Sequence, residues 1–212
     1  TDLIITLSNG KTTQTITIPA GQTTGNVKFD NPNGEDVYKD GSTLNYTITG
    51  TTGGNYVSLD TSDSSVVTIE DTTDNTNATL TSEIIGDEDG ATVTYTMTLD
   101  KAPTTNETFT FKVDGVEKTI IVEAGKTTGT TTVTFTESDV FKDTDTIPKA
   151  TDLKASDVDG ASNYEQLTLV NNSKDETVVD SIDNTNATLT SEITGDEDGA
   201  TVTYTMTLDK AP

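Results

Sequence analysis

The sequence predicts an all-β chain built of tandem immunoglobulin-like β-sandwich repeats. Two observations predict this fold: short segments of alternating apolar and polar residues follow one another along the chain, and a 30-residue segment occurs twice. The segment begins at Asp74 and again at Asp183, 109 residues later. The two copies differ only where Ile85 is replaced by Thr194. Repetition at a long fixed period is typical of a tandem array.

Each predicted strand rests on a period of two residues, which places alternate side chains on opposite faces of a sheet. Thr92–Leu99 alternates throughout, with Val93, Tyr95, Met97 and Leu99 on one face and threonines on the other. The next alternating segment ends at Asp114-Gly115, a dipeptide typical of tight hairpin turns, and Asn9-Gly10 is its equivalent nearer the N-terminus. About seven such strands in each period predict an immunoglobulin-like sandwich.

Two polar segments, 71–77 and 180–186, are interpreted as linkers between repeats. Both are rich in Asp and Asn, and each follows a strand-like run, Val66–Ile69 in the first case and Val178–Ile182 in the second. The predicted domains are a repeat lacking its first two strands (1–73), a complete repeat (74–182) and the first two strands of the next repeat (183–212). A division after Pro103 into 1–103 and 104–212 is the alternative. The chain begins within the pattern, so we expect a fragment.

Composition excludes several classes of function. The formal net charge is −24 with no His and no Cys, and all twelve cationic side chains are lysines. Such a chain repels nucleic acid and anionic membranes, and no apolar run is long enough to span a bilayer. We expect no nucleic-acid partner and no membrane insertion. Without His, Cys or a nucleophile motif, and with its acids in short repeated turns, the chain is not expected to be an enzyme.

Three acidic motifs recur along the chain. In a seven-strand sandwich their loops lie at one pole, where like charges repel unless a cation neutralises them. Carboxylate oxygens suit calcium (Ca²⁺), so we predict calcium at the junctions between repeats. The candidate ligands are Asp87, Glu88, Asp89, Asp196, Glu197 and Asp198 in GDEDG; Asp36, Asp40, Asp139, Asp143 and the adjacent Asp145 in DVYKD and DVFKD; and Asp71, Asp74, Asp180 and Asp183 in the linkers. The alternative is that these acids are soluble surface and turn residues.

A further acidic sequence, Asp157-Val-Asp159-Gly160, also has the residue types of a cation-binding loop. Asp-Gly is equally typical of a turn, and a turn is the interpretation we favour here.

These motifs, in this order, resemble the extender repeats of giant RTX adhesins of Gram-negative bacteria, a family that includes biofilm and ice-binding adhesins. The resemblance covers essentially the whole chain and is carried by ATLTSEITGDEDGATVTYTMTLDKAP, TITIPAGQTTG, EDVYKDGSTL and the linker before each repeat. It implies type I secretion, an extracellular location on the cell surface, immunoglobulin-like domains, and calcium at or near the linkers. The function it implies is a stiff spacer that holds an adhesive tip away from the cell.

Two further expectations concern partners. Neighbouring repeats of the same chain are the expected partners, and the last 30 residues of one copy are expected to complete residues 1–73 of another by head-to-tail strand contact. The alternative function is an immunoglobulin-like module that binds a glycan or protein directly, for which Tyr38, Tyr56 and Tyr164 are the candidate exposed aromatics.

Overall fold

The structure, a computed structural model, describes residues 1–30, 34–137, 139–156 and 163–212. Within these ranges every regular element is a β-strand, which confirms the predicted all-β, immunoglobulin-like class. The chain forms two compact units. Unit 1 comprises Thr1–Thr76 and Asp157–Leu167, and unit 2 comprises Asn77–Ser156 and Thr168–Pro212. The repeat limits proposed from the sequence stay a prediction.

Unit 1 contains one antiparallel sheet of four strands in the order β2-β1-β3-β4. The strands are β1 (Leu3–Ser8), β2 (Thr13–Ile18), β3 (Ser42–Gly53) and β4 (Ser64–Ile69). The turn between β1 and β2 is the predicted one, because Asn9 Oδ1 accepts the backbone N–H groups of Lys11 and Thr12 at 3.0 and 2.8 Å. Gly10 supplies the positive φ of +85° that the turn requires.

The apolar face of the unit 1 sheet is incompletely covered. Leu3 is buried, but Ile5, Leu7 and Ile16 are only partly buried. Two segments of unit 1, 24–30 and 57–63, do not form strands. A strand needs a ladder partner for its N–H and C=O groups, and neither segment has one.

Unit 2 contains a two-sheet sandwich followed by a hairpin. One sheet has the order β12-β5-β6-β9, the other β11-β7-β8, and β10 pairs with β13. The strands are β5 (Asn75–Ile85), β6 (Ala91–Leu99), β7 (Glu107–Val113), β8 (Val116–Val122), β9 (Thr128–Phe135), β10 (Asp145–Ile147), β11 (Thr151–Ala155), β12 (Gln166–Asn171), β13 (Glu176–Val178), β14 (Ala187–Thr194) and β15 (Thr201–Leu208).

The core of unit 2 lies between these two sheets. The alternation predicted for Thr92–Leu99 is confirmed, because β6 buries every second side chain and the tyrosine ring of Tyr95 packs against Phe111 with centroids 5.1 Å apart. Each such large apolar side chain stabilises the fold by about 1.5–3 kcal/mol when fully buried. The predicted hairpin turn between β7 and β8 is also confirmed, with φ of +48° at Asp114 and +75° at Gly115.

The hairpin formed by β14 and β15 has the same pairing register as β5 and β6, and its sequence differs only at Thr194, which replaces Ile85. We call each of its residues the twin of the residue 109 positions earlier. Ala187 pairs with Leu208 as Ala78 pairs with Leu99. The environments differ completely, because every residue of β14 and β15 is exposed. Tyr204, for example, is 70% exposed, whereas its twin Tyr95 is fully buried.

Two sequence expectations are wrong in the structure. The run Val178–Ile182 is not a strand, because β13 ends at Val178 and the following backbone bonds to the GDEDG loop instead. Tyr164 is fully buried rather than an exposed ligand-binding aromatic, and Tyr38 stacks on it within unit 1 with ring centroids 5.9 Å apart. The part of the chain that the structure describes holds no helix suited to crossing a bilayer.

Candidate metal site

The three acidic motifs of the complete sandwich meet at one end of unit 2. The backbone N–H of Glu88 donates to the carbonyl of Val179 at 3.0 Å, and the N–H of Glu137 donates to the carbonyl of Glu88 at 2.8 Å. These bonds join the GDEDG loop between β5 and β6 to the segment after β9 and to the segment after β13. The convergence expected from the order of strands is therefore present in the structure.

The GDEDG loop has a fixed shape that turns one of its acids inward. Gly86 has a φ of +100°, and a Cβ there would lie 2.6 Å from the carbonyl oxygen of Gly90. Because only glycine tolerates this conformation and this close approach, the loop closes tightly, with Gly90 N–H donating to Asp87 O at 3.0 Å. Glu88 is consequently 3% exposed, while Asp87 and Asp89 stay in solvent.

Glu88 has one satisfied and one unsatisfied carboxylate oxygen. Its Oε1 accepts hydrogen bonds from Ser181, from the backbone N–H at 3.1 Å and from the hydroxyl at 2.9 Å. Its Oε2 is buried and has no hydrogen-bond partner among the described residues. An unpaired buried carboxylate oxygen is costly, and a bound cation would remove that cost.

Six carboxylates form what we call the acidic pole: Glu88, Glu137, Asp139, Asp143, Asp145 and Asp180. Oxygens of Glu88, Asp143 and Asp180 lie within 4.8 Å of one another, and so do oxygens of Glu137, Asp139 and Asp143. Two oxygens bound to one calcium ion at 2.3–2.6 Å are at most about 5 Å apart. Each set of three therefore fits a single ion, and a cleft of about 280 Å³ lies beside them.

Two carboxylates of the acidic pole, Glu137 and Asp143, have a raised pKa. The hydrogen bond that the protonated Glu137 carboxyl donates to Asp145, and the charge of Asp145, raise the pKa of Glu137 most, with smaller effects of lost solvation and of Asp143 and Asp139. Loss of solvation raises the pKa of Asp143, followed by the charges of Asp145, Asp139 and Asp180. The ion pairs found among the described residues, Lys112–Asp152 and Lys174–Glu176, do not involve these acids.

The predicted linker acids of this end divide into two kinds. Asp180 belongs to the acidic pole, whereas Asp183 is exposed and approaches it only through Ser181, whose hydroxyl lies 3.4 Å from Asp183 Oδ2. Glu137 is a member that the motif analysis missed. It lies two residues after the end of β9 and two residues before DVFKD, so it belongs to the same loop.

Unit 1 carries a related set of acids, which we call the unit 1 acidic group: Glu35, Asp36, Asp40, Asp71 and Glu165. The backbone N–H of Asp40 donates to Asp71 Oδ2 at 3.0 Å, and loss of solvation followed by the charges of Asp36 and Asp71 raises the pKa of Asp40. Glu35 accepts the hydroxyl of Thr72, which occupies the position of Ser181. The sequence analysis missed Glu35 and Glu165.

Of the other sequence candidates, Asp74 contacts the unit 1 acidic group through its backbone, and the rest lie outside both groups. Asp74 donates its backbone N–H to Glu165 Oε2 at 2.7 Å in unit 1. Asp196, Glu197 and Asp198 occupy the exposed loop between β14 and β15, where the N–H of Asp198 donates to Asp196 Oδ1 at 3.1 Å. The sequence Asp157-Val-Asp159-Gly160 lies outside the described residues.

Comparison with known protein families gives one result. The LapA domain, from a large family of adhesins, matches residues 1–72 and again residues 74–181. No curated protein matches the chain. Since the two matches cover most of the sequence, the chain belongs to the LapA domain family of adhesins.

Proposed function

We propose that this chain is a structural spacer of a secreted cell-surface adhesin, made rigid by calcium bound at the junctions between its repeats. Membership of the LapA domain family associates the chain with adhesins and with the cell surface, and the all-β fold favours a structural role over catalysis. The spacer role, the calcium, the RTX character, the type I secretion and the Gram-negative source are the proposed part. The buried, unpartnered Oε2 of Glu88 is the observation that carries the calcium.

Calcium is the cation that this set of ligands suits best. The available donors are carboxylate oxygens, with no His or Cys in the whole chain, which favours a hard cation over zinc or a redox metal. Sites in extracellular calcium modules bind with dissociation constants of about 0.1–1 mM. An affinity in that range would fill the site outside a cell and leave it empty inside.

The proposed ion would stiffen the chain because its ligands come from separate segments. Glu88 lies in the GDEDG loop, Asp143 follows β9, and Asp180 begins the segment that leads from β13 towards β14. An ion shared by all three would hold the start of this linker against the sandwich. Without the ion, the repulsion among the acids favours a freer linker.

Direct recognition of a glycan or protein is the second candidate function, and less supports it. Binding modules of this kind present clusters of exposed aromatic side chains. Of the three tyrosines that the sequence offered, Tyr164 is buried and Tyr38 stacks on it, which leaves Tyr56, at 61% exposed. A single exposed ring is a weak basis for a binding surface.

The calcium proposal is tested by Glu88→Gln, with Asp89→Asn as the matched control from the exposed part of the same loop. In EDTA, we expect Glu88→Gln to unfold at a higher temperature than the wild type, because it removes an unpaired buried charge. In excess calcium the order should reverse. Saturation at 100 times the dissociation constant stabilises the wild type by about 2.7 kcal/mol, and Glu88→Gln should lose most of that gain.

The measurements are thermal unfolding and calcium titration by calorimetry. Asp89→Asn should respond to calcium as the wild type does. Small-angle scattering of the same samples tests stiffening, because calcium should narrow the distribution of dimensions for the wild type and not for Glu88→Gln. Equal unfolding temperatures for the wild type in calcium and in EDTA would refute the proposal.

A further inference from the structure

The chain contains two incomplete parts of the same sandwich. In unit 2 the pair β5–β6 lies between β12 and β9 and covers the sheet β11-β7-β8. Unit 1 has the equivalent of that second sheet, formed by β1 to β4, but no strand pair in front of it among its described residues. The hairpin β14–β15 is such a strand pair, and it has no sheet in front of it.

We propose that the β14–β15 hairpin of one copy of this chain docks onto the unit 1 sheet of a second copy, and that it brings Glu197 to the unit 1 acidic group. The docking rests on the exposed faces described here, whereas the calcium role of Glu197 rests on the proposed function above.

The hairpin is a suitable occupant because its twin already fills the equivalent place. β5 and β6 bury their apolar face against β7 and β8, and the equivalent strands in unit 1 are β1 and β2, 104 residues earlier by the match of AGQTTG with AGKTTG. Phe109, Phe111 and Ile120 are buried in unit 2. Their equivalents Ile5, Leu7 and Ile16 are only partly buried, as expected of a sheet that awaits its second layer.

The two irregular segments of unit 1 support the same occupant. In unit 2, β9 pairs with β6 and β12 pairs with β5. The unit 1 equivalents of β9 and β12 are 24–30 and 57–63, and neither is a strand. Insertion of β14–β15 would give both segments a ladder partner and would give the hairpin its two missing neighbours. Phe29, whose ring now lies 4.7 Å from that of Tyr46, would have to move outward with its segment.

Docking would also complete a carboxylate cluster. In unit 2, Glu88 enters the acidic pole from the turn between β5 and β6. In unit 1, Asp36, Asp40 and Asp71 are the equivalents of Asp139, Asp143 and Asp180, and the described residues of this unit include no equivalent of Glu88. Glu197 is the twin of Glu88, so the second copy would supply it. Association and calcium binding would then strengthen each other, because the site contains ligands from both copies.

The net charge of the chain favours this coupling between association and calcium binding. Each copy carries a net charge of −24, so two copies repel one another at low ionic strength. Salt weakens the repulsion, and a divalent cation bound among the shared carboxylates removes part of it. Because the contact joins different surfaces of two identical chains, it can continue into rings or longer chains.

The docking is tested in EDTA and moderate salt by sedimentation velocity over a range of concentrations. Tyr204→Asp places a charge on the docking face, and Thr207→Asp places it on the opposite face, where the twin Thr98 stays exposed in the complete sandwich. Both residues are exposed in the free hairpin, so neither change should unfold the monomer. We expect Tyr204→Asp to weaken association by at least about 30-fold and Thr207→Asp to leave it within about threefold of the wild type.

Cross-linking gives an independent readout of the register. Thr94 pairs with Thr132 in unit 2, so Thr203 of one copy should pair with Lys28 of the other. The chain has no cysteine, and antiparallel partners are close enough for a disulfide. Mixing Thr203→Cys with Lys28→Cys under oxidising conditions should give a covalent dimer, whereas Thr203→Cys with Lys118→Cys should not. The docking would be overturned if the wild type stayed monomeric at all concentrations and the mixture of Thr203→Cys with Lys28→Cys gave no covalent dimer.

The calcium part has its own test. Calcium should tighten association of the wild type by about tenfold. Glu197→Gln should remove that effect, and in EDTA it should associate somewhat more tightly than the wild type, because one of the repelling charges is gone. Association without any effect of calcium would refute the role of Glu197 and keep the docking. Equal unfolding temperatures of the wild type in calcium and in EDTA, in the earlier experiment, would instead refute the proposed function.

Discussion

At the acidic pole, a protonated Glu137 can donate a hydrogen bond to Asp145, and this pairing makes the stability of the metal-free protein depend on pH. Their interaction raises the pKa of Glu137, so the native state holds its proton to a higher pH than the unfolded chain does. The stability that protonated Glu137 contributes to the native state is therefore complete below about pH 4, and it is lost as the pH rises through the raised pKa. The same protonation opposes calcium, since a ligand must be ionised to bind.

The corresponding prediction uses Glu137→Gln, which keeps the hydrogen-bonding capacity and removes the charge. In EDTA at pH 7, we expect this variant to unfold at a higher temperature than the wild type, and the difference should vanish as the pH falls to about 4. Thermal unfolding of both proteins across this range measures it. Lys112→Met, remote from the acidic pole in an exposed ion pair, serves as a control for general charge effects. A difference that grows towards low pH would contradict the assigned direction of the pKa shift.

At the same scale, sequence reasoning identified the residue types of the site and not their individual roles. The sequence GDEDG does not distinguish Asp87, Glu88 and Asp89 as possible ligands. In the structure, the positive φ of Gly86 and the hydrogen bonds of the loop turn only the Glu88 side chain inward. Which acid of a tight turn points inward depends on backbone angles that the sequence does not state. Glu137 was missed because it lies between the end of β9 and the repeated motif rather than within that motif.

Single strands and hairpins were the most predictable elements, because their signals are local. The alternation in β6 and the turn at Asp114-Gly115 follow from two-residue periodicity and from backbone conformation. Long-range pairing was less predictable. Segment 24–30 has the alternating Val27 and Phe29 of a strand, but without a partner it does not form one. The Val178–Ile182 run ends early for a similar reason, since its backbone bonds to the GDEDG loop.

Two glycines of unit 2 give a prediction at the element scale, because they are needed for different reasons. Gly115 has a φ of +75° with open space around it, so Gly115→Ala should cost about 1–2 kcal/mol through backbone strain alone. Gly129 begins the ladder between β9 and β6, and a Cβ there would overlap Ile121 O and lie 2.8 Å from Ile120 Cγ2. Gly129→Ala should cost more, at least about 3 kcal/mol, because backbone must move.

Chemical denaturation of the two variants measures this difference. Gly25→Ala is a useful companion, since Gly25 is the equivalent of Gly129 in AGQTTG and would overlap Thr17 O in the same way. A larger loss of stability for Gly115→Ala than for Gly129→Ala would mean that β8 and β9 can separate easily beside Gly129. The shared constraint accounts for the presence of a glycine at the end of both motif copies.

At the scale of the whole molecule, a net charge of −24 without arginine makes the chain respond to ions in two separable ways. Simple salt shortens the range of repulsion, from about 30 Å at 0.01 M to about 8 Å at 0.15 M, and this screening acts on all the acids at once. A bound calcium ion acts at the acidic pole, where its ligands are fixed by the loops and by Ser181. The first effect depends on ionic strength, the second on the identity of the cation.

We therefore expect unfolding temperatures at one ionic strength to rise in the order sodium, magnesium, calcium. Sodium chloride should raise the unfolding temperature of the metal-free chain gradually, through screening alone. Magnesium should add little, because it requires oxygens at about 2.0–2.1 Å in octahedral geometry and keeps much of its water. Calcium should add a saturable increase, since it accepts more ligands at longer distances. Equal curves for magnesium and calcium would show that the acids act as a diffuse charge, and the repeats would then be tuned by ionic strength rather than by a site.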